Sequence, residues 1–555
     1  MSLFSNTLRL TALTAAITTL AACGGDDGAN GAAGTSGSVI QLSLAGSYQA
    51  PGSVFDEGAA EIVAWDKKHK RLFVINANDV TVDVLDVSDV AHPTLLGTID
   101  ASAEGGSANS VSTYGNLVAV AIEANTRTDA GKVVFYNAVG LGKVGEAPAG
   151  ALPDMLTFTA DGKKVLVANE GEPSDDYSID PEGSITIVDL SNGVASLSTT
   201  QVTFNSFDAQ AATLIDAGVR IFGANSPSVS EDLEPEYIAL SADGSTAWVA
   251  LQENNAVAVL DIETATVTNI LPLGFKDHSV FGNELDASDK DDSIHITNWP
   301  VHGMYMPDSI ASYEFNGSTY YVTANEGDSR DYGGWTEEFR IKDLVLDASA
   351  FPDASIQDDE NLGRLRVTST LGVSNGCDPS NVATNPETDC EYAALYSYGA
   401  RSFSIWKDDG TLVFDSGSQF ERILAQRDPD NFNSTNDEND SFDSRSDDKG
   451  PEPEGLALGT INGQTYAFVG LERMGGLMIY NITNPESPLF VQYLNNRDFS
   501  VISQVDVEAG LAGDLGPEGI AFIPAKGSPT GKPMLAVGNE ISGTTSLYYI
   551  DVIDF

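Results

Sequence analysis

Apolar residues along this chain fall in short runs of roughly four to six, bounded by Gly, Asp, Asn and Pro, which is the pattern of strands and not of helix faces. The runs come in pairs: residues 62–65 with 72–76, 110–113 with 117–122, 156–159 with 165–168, 237–240 with 247–251, 309–313 with 320–323, 456–458 with 466–469, and 520–523 with 534–537. Turn formers separate most pairs, as in Ala160-Asp161-Gly162-Lys163 and Ala242-Asp243-Gly244-Ser245, so the spacing predicts seven hairpins. A third run usually follows, with the sense V-x-V-x-D, at 80–86, 133–136, 185–189, 257–261, 477–480 and 547–551. Repeats of about 40 to 50 residues built from four short strands are the signature of a β-propeller.

The predicted architecture is therefore an all-β, seven-bladed β-propeller over residues 39–555. A pair of β-sandwiches or a β-helix competes less well, because their repeats lack this pattern. The last repeat has no outer strand of its own, whereas 39–48 is a spare strand, which is expected to close the ring against the final blade. Four insertions interrupt the repeat, at 274–304, at 327–363, around Cys377 and at 420–450. Long loops on a rigid scaffold are where function tends to sit.

The N-terminus reads differently. Arg9 precedes an apolar stretch too short to span a bilayer, which ends in Leu20-Ala21-Ala22-Cys23. That is a lipobox, so residues 1–22 are expected to be a lipoprotein signal peptide and Cys23 the lipidated residue. Membrane attachment through that lipid follows as an expectation, in the outer membrane, facing the periplasm or at the cell surface. Glycines at 24, 25, 28, 31, 34 and 37 make 23–38 a flexible tether. In an exported chain the two other cysteines, Cys377 and Cys390, are expected to form a disulfide.

Charge narrows the partners. The chain of 555 residues has 28 Lys and Arg against 81 Asp and Glu, a formal net charge of −53, which excludes nucleic acid as a plausible partner. Such an excess repels itself unless cations or salt screen it. The acids also recur in register. The first strand of each hairpin opens with Glu61, Asn109, Asp154, Glu236, Asp308, Glu454 or Glu518, and the second closes with Asn76, Glu123, Glu170, Glu253, Glu326, Glu472 or Glu540. Antiparallel pairing puts both positions at one edge, so the acids are expected to converge on one mouth of the propeller channel. Clusters of that kind persist by binding protons or cations, and hard oxygen donors favour calcium, magnesium or manganese over zinc. The expected metal ligands are Asp154, Glu170, Glu236, Glu253, Asp308, Glu326, Asp328, Glu454, Glu472, Glu518 and Glu540, with calcium the leading cation. Strand-end acids that merely cap backbone amides or face solvent are the alternative.

Arg330, Arg473 and Lys449 lie beside these acids in sequence. A guanidinium next to a carboxylate-held ion suits phosphate recognition, so Arg330, Arg473 and Glu326 are the candidate catalytic residues of a metal-dependent phosphoesterase. Ordinary surface ion pairs are the bland alternative. Asp289-Lys290-Asp291-Asp292-Ser293 begins like a calcium loop but lacks its glycine and has Pro300 in place of the closing Glu. The Asn-, Asp- and Ser-rich tract 428–448 reads as a mobile loop, with ion binding the alternative.

Several longer motifs carry a resemblance: Ala168-Asn169-Glu170-Gly171-Glu172-Pro173, Asp180-Pro181-Glu182-Gly183-Ser184, 324–332 from Ala-Asn-Glu-Gly-Asp-Ser-Arg to Asp-Tyr, and 442–455, which ends in Gly450-Pro451-Glu452-Pro453-Glu454-Gly455. From about residue 40 onward the chain resembles the choice-of-anchor I family, which includes bacterial surface proteins and the mesenchyme-specific cell-surface glycoproteins of echinoderm skeleton formation. Some members carry an alkaline phosphatase label. The resemblance implies surface attachment and a link to calcium and phosphate. It leaves two functions open: a metal-dependent phosphoesterase of the alkaline phosphatase type, or a non-enzymatic calcium-dependent adhesion, scaffold or mineral-associated protein.

Overall fold

The computed structural model describes residues 38–377 and 390–554. The expected signal peptide (1–22), the lipidated Cys23 and the tether up to residue 37 lie outside the described residues.

The fold is all-β, with seven four-stranded antiparallel sheets among the described residues. Sheet 1 runs Val63–Asp66, Arg71–Asn76, Thr81–Asp86, Thr94–Asp100; sheet 2 Ala108–Tyr114, Leu117–Ile122, Ala130–Asn137, Lys143–Ala151; sheet 3 Pro153–Phe158, Lys164–Asn169, Ser184–Asp189, Ser198–Thr203. Sheet 4 runs Pro235–Leu240, Thr246–Leu251, Ala256–Asp261, Thr266–Pro272; sheet 5 Ile310–Phe315, Ser318–Asn325, Ser402–Lys407, Leu412–Asp415; sheet 6 Pro453–Ile461, Gln464–Leu471, Leu477–Asn481, Leu489–Leu494. Sheet 7 is made of Pro517–Ile523, Met534–Asn539 and Thr544–Asp554, and its fourth strand is Ser38–Gln49 from the other end of the chain, which pairs from Ser38 opposite Asp554 to Gln49 opposite Thr544.

Second strands are almost continuously buried, as in Leu72, Phe73, Val74 and Ile75 or Val165, Leu166, Val167 and Ala168. Both faces of each sheet are covered, so the sequence shows apolar runs where a one-sided sheet would alternate. Each neighbouring pair of sheets has its own apolar core: Phe73, Val84 and Val118 lie between sheets 1 and 2, and Leu72, Met534 and Leu547 between sheets 7 and 1. First strands pack beside first strands from sheet 1 through sheet 7, and that of sheet 7 packs beside that of sheet 1. The hairpin turns form as the sequence predicts. Gly162 (φ 68°) and Gly244 (φ 71°) take the left-handed position, and the preceding Asp161 and Asp243 accept the backbone N–H of Lys163 and Ser245, each at 3.0 Å.

The insertions are more ordered than loops. Phe275–Asp277, His302–Met304, Tyr396–Ser397, Arg366–Thr368 and Glu338–Arg340 form a five-stranded sheet over a separate core that includes Leu285, Ile341, Leu365 and Tyr392. The disulfide Cys377–Cys390 joins this layer, with its Cα atoms 5.3 Å apart, and Cys390 is buried in it. The tract 428–448, expected as a mobile loop, is instead anchored, with Asn433, Ser434, Asn436, Asn439, Asp443 and Ser446 all buried. The physical reason is that most of its polar side chains bond to one another and to Arg497, whose guanidinium donates to Asn439 Oδ1 (2.8 Å) and to the carbonyls of Thr435 (2.7 Å) and Glu438 (2.7 Å).

Leu42, 2 % exposed in the strand that crosses from one chain end to the other, tests what that strand contributes. Leu42→Ala is expected to cost about 2–5 kcal/mol, read as a lower unfolding midpoint in denaturant; an unchanged midpoint would show that the strand adds nothing to the fold.

Candidate functional site: an enclosed acidic mouth

Two local devices aim the acids. The first is a register irregularity between first and second strands, found at Ala108/Ser110, Pro153/Leu156, Pro235/Ile238, Pro453/Leu456 and Pro517/Ile520. It falls at Asn109, Asp154, Glu236, Glu454 and Glu518, which are thereby turned out of the ladder. The proline ahead of four of these acids has no N–H to offer the ladder at that point. The second device is an asparagine at the end of the second strand. Asn169 donates to Ser184 O, Ser184 Oγ and Thr186 Oγ1; Asn325 to Ser402 Oγ and Ser404 Oγ; Asn539 to Thr544 O and Oγ1. Each side chain ties the strand end to the third strand, and the next residue is Glu170, Glu326 or Glu540. After Glu326 the chain passes so close to Gly399 that a Cβ on Gly327 (φ 88°) would lie 2.0 Å from the Gly399 nitrogen. A larger residue there would displace Glu326.

The acids separate into two zones. In the first, Asp154, Asp308 and Glu518 line a cavity of about 80 Å³ together with Asn109 and Tyr237. Larger cavities exist, but the 630 Å³ one lies between the turns that hold Asp161 and Asp243, at the far end of the strands from these acids. Glu236 and Glu253 are both 6 % exposed. Burial and then like charge push this group upward. Asp308 rises to about 8 through burial and then Glu326, Glu61 to about 8 through burial and then Glu540, and Asp154 to about 7 through burial and then Glu253. Glu540 and Glu253 rise to about 7, with burial the main cause in each. Glu170, Glu236, Glu454, Glu472 and Glu518 are held well above the usual carboxylate range, first by burial and then by neighbouring acids. One oxygen each of Glu236, Glu253, Glu454 and Glu518 is buried without a hydrogen-bond partner. Glu123 is turned elsewhere and accepts from Ser107 N (3.2 Å).

In the second zone, carboxylate oxygens of Glu326, Glu452 and Glu472 lie within 4.8 Å of one another. Lys449 bridges Glu326 (2.6 Å) and Glu452 (3.0 Å), Arg445 binds Glu452 (2.7 Å), and Arg473 reaches both Glu452 (3.1 Å) and Glu472 (3.1 Å). Burial would raise Glu452, yet Lys449, Arg445 and Arg473 together hold it far below the usual range. Gln252 donates to the other oxygen of Glu326 (3.0 Å), and Asn436 to Glu472 (3.0 Å). Asp328 stands exposed at the rim. Sequence reasoning passed over Glu452, although Pro451-Glu452-Pro453-Glu454 holds two acids in a conformationally restricted stretch.

Arg330 sits apart from Glu326. Its guanidinium is buried, with NH1 on Asp232 Oδ1 (2.8 Å), NH2 on Asp232 O (2.7 Å) and Glu234 (2.9 Å), and Nε on Glu234 (3.1 Å), and its Cζ lies 4.5 Å from the centre of the Phe222 ring. Asp232 and Glu234 had not been singled out from the sequence, where they stand among the acids of 231–236 with no spacing signal.

Residues 61–485 match the Choice-of-anchor I domain. The chain belongs to the choice-of-anchor I family. It is 33 % identical over 207 residues to Gigasin-3a of Magallana gigas, covering 36 % of this chain and 68 % of that protein. It is 30 % identical over 335 residues to the mesenchyme-specific cell surface glycoprotein of Strongylocentrotus purpuratus, covering 53 % of this chain and 42 % of that one, so less than half of the echinoderm protein's length is matched. Among solved structures, hydrazine synthase of Kuenenia stuttgartiensis aligns at 12 % identity with a TM-score of 0.43, over 91 % of this chain and 97 % of that one. The β-propeller domain of Cps50 (Swd1) from Myceliophteria thermophila aligns at 10 % with a TM-score of 0.42, over 92 % and 99 %.

The mouth sets a pH dependence. An acid whose folded pKa is raised stabilises the fold fully below its ordinary value and loses that contribution as pH climbs through the folded value. For Glu61 and Asp308 the window runs from 4.5 and 3.8, respectively, to about 8. In chelator, the melting temperature is expected to fall steadily from about pH 5 to about pH 8; a flat or rising profile would contradict the assignment. Arg330→Ala, which strands Asp232 and Glu234 unpaired, is expected to lose about 3–5 kcal/mol of stability, measured by denaturant unfolding.

Proposed function

We propose that this protein is an exported, lipid-anchored cell-surface protein that binds divalent cations, calcium foremost, in the mouth of a seven-bladed propeller. The succession of first-strand contacts from sheet 1 to sheet 7 and back supports a complete ring of seven blades, with Ser38–Gln49 as the strand that completes it. The disulfide Cys377–Cys390 suits an oxidising compartment. The name of the echinoderm relative places that protein at a cell surface. Attachment here would run through a lipid on Cys23.

The observation that carries the cation reading is the set of buried, unpartnered oxygens on Glu236, Glu253, Glu454 and Glu518. Such atoms are costly to leave unsatisfied, and several carboxylates converging in an enclosed space offer the all-oxygen donor set that calcium takes. Asp154, Glu170, Asp308, Glu326, Asp328, Glu472 and Glu540 belong to the same proposed ligand pool. Surface adhesion, scaffolding or mineral association is the function this arrangement supports best, because the nearby cationic groups are already engaged by carboxylates.

One observation favours phosphoester hydrolysis as a second reading. The cluster Glu326, Glu452 and Glu472 lies beside Arg473, whose side chain is 28 % exposed and so within reach of an incoming phosphate. In that reading Arg473 binds the phosphoryl oxygens and Glu326 serves as ligand or base, while Arg330 positions Asp232 and Glu234.

Calorimetric titration of the chelated protein with calcium tests the first reading. Binding is expected with proton release near neutral pH, and Glu236→Gln with Glu253→Gln is expected to weaken it by at least about tenfold, the equivalent of 1.4 kcal/mol. Heat and melting temperature unmoved by calcium would sink it. Assay of an aryl phosphate in parallel separates the two readings: chelator-sensitive turnover lost in Arg473→Ala supports hydrolysis, and binding without turnover leaves the surface role.

A further inference from the structure

A second group of buried acids lies outside the mouth, where the insertions 274–304 and 420–450 meet. Asp286 and Asp443 are 0 % and 2 % exposed, and Glu421, on the helix Gln419–Arg427, is 1 % exposed. Four contacts knit them together. Asp286 N donates to Glu421 Oε2 (3.1 Å), Asn433 Nδ2 donates to Glu421 Oε1 (3.1 Å) and to Ser446 Oγ (2.8 Å), and Ser446 Oγ donates to Asp443 Oδ1 (2.5 Å).

Those contacts leave oxygens over. Asp443 Oδ2 and Asn433 Oδ1 are buried with no hydrogen-bond partner, although Asn433 is 0 % exposed. On Asp286 one oxygen takes the His295 N–H, and the other has only a long contact from Ser288 N (3.5 Å). Burial first, and then the carboxylates of Asp286, Asp291 and Glu421, push Asp443 upward, so the unpartnered oxygen belongs to a carboxylate that shares its surroundings with three others. Arg401 is the buried cation touching this group, and its guanidinium is engaged by Glu421 (2.6 Å) and by the carbonyls of Asp286 (2.5 Å), Ser446 (2.8 Å) and Asp448 (2.7 Å). It offsets one negative charge out of four.

We infer that Asp286, Asp443 and the Asn433 carboxamide hold a second divalent cation, separate from the mouth, that fastens the two insertions to each other. Carboxylate and carboxamide oxygens are hard donors, which selects calcium over the softer transition metals. The ion would give Asp443 Oδ2 and Asn433 Oδ1 the partner they lack and offset the remaining charge. The role would be structural. Lys449 follows this tract directly and carries the bridge to Glu326 and Glu452, so a cation here fixes one wall of the mouth without entering it.

Hydrogen exchange of the full chain, with calcium chloride as the only added ligand, tests this. Amides of 283–295 and 431–447 are expected to exchange about a hundredfold more slowly when calcium stands at a hundred times its dissociation constant. Asp443→Asn, which keeps the shape of the side chain, is expected to abolish that slowing, whereas Glu236→Gln with Glu253→Gln leaves it in place. Exchange that ignores calcium in the wild-type chain overturns the inference whatever the variants do. So does an Asp443→Asn protein protected as well as wild type. An acid pair that only shares a proton would protect these segments at low pH with no response to calcium, and that outcome also overturns it.

Discussion

Like charges enclosed together cannot all stay ionised, and most of what distinguishes this molecule follows from that constraint. Six of the seven sheets deliver acids to one end, and the cavity that Asp154, Asp308 and Glu518 line there is small. Two remedies are visible. Around Glu452 the protein supplies its own cations, Lys449, Arg445 and Arg473, and the carboxylate stays charged. Around Asp154, Asp308 and Glu518 no basic side chain lines the cavity, and protons must be taken up instead. A divalent ion is the remaining way to neutralise that zone without changing pH.

Much of the fold was legible because each second strand is buried on both faces. That condition writes an unbroken apolar run such as Leu72 to Ile75, flanked by turn residues that need a left-handed backbone, and both signals are local. The positions of the acids were legible for the same reason, since they mark strand ends. Their partners were not. Glu452 is drawn in by Lys449, Arg445 and Arg473, and Arg330 is drawn away from Glu326 by Asp232 and Glu234, which lie roughly a hundred residues upstream. Nothing in the spacing of one stretch reports a contact made across two sheets.

The insertions show the limit of composition more sharply. Asparagine, aspartate and serine usually signal solvated loops, because each competes with regular hydrogen bonding. In 431–447 the same side chains bond to each other and to Arg497, while Arg401 holds the Ser446 carbonyl, and the result is a packed segment with few apolar residues. The third strand of sheet 5, Ser402–Lys407, was missed for a related reason. A long insertion separates it from Ser318–Asn325, so it falls outside the repeat spacing that reveals the others.

Pairing between Ser38–Gln49 and Thr544–Asp554 has a consequence for how the molecule is made. Ser38–Gln49 is bound to Thr544–Asp554, far downstream in the sequence, so sheet 7 cannot form until both have been made. Loop closure over that separation is slow and entropically opposed. A chain built this way keeps Ser38–Gln49 uncommitted while the intervening sheets assemble. A product lacking Thr544–Asp554 leaves Ser38–Gln49 without its ladder partner and strips Ile40 and Leu42 of the cover that Tyr548 and Ile550 supply.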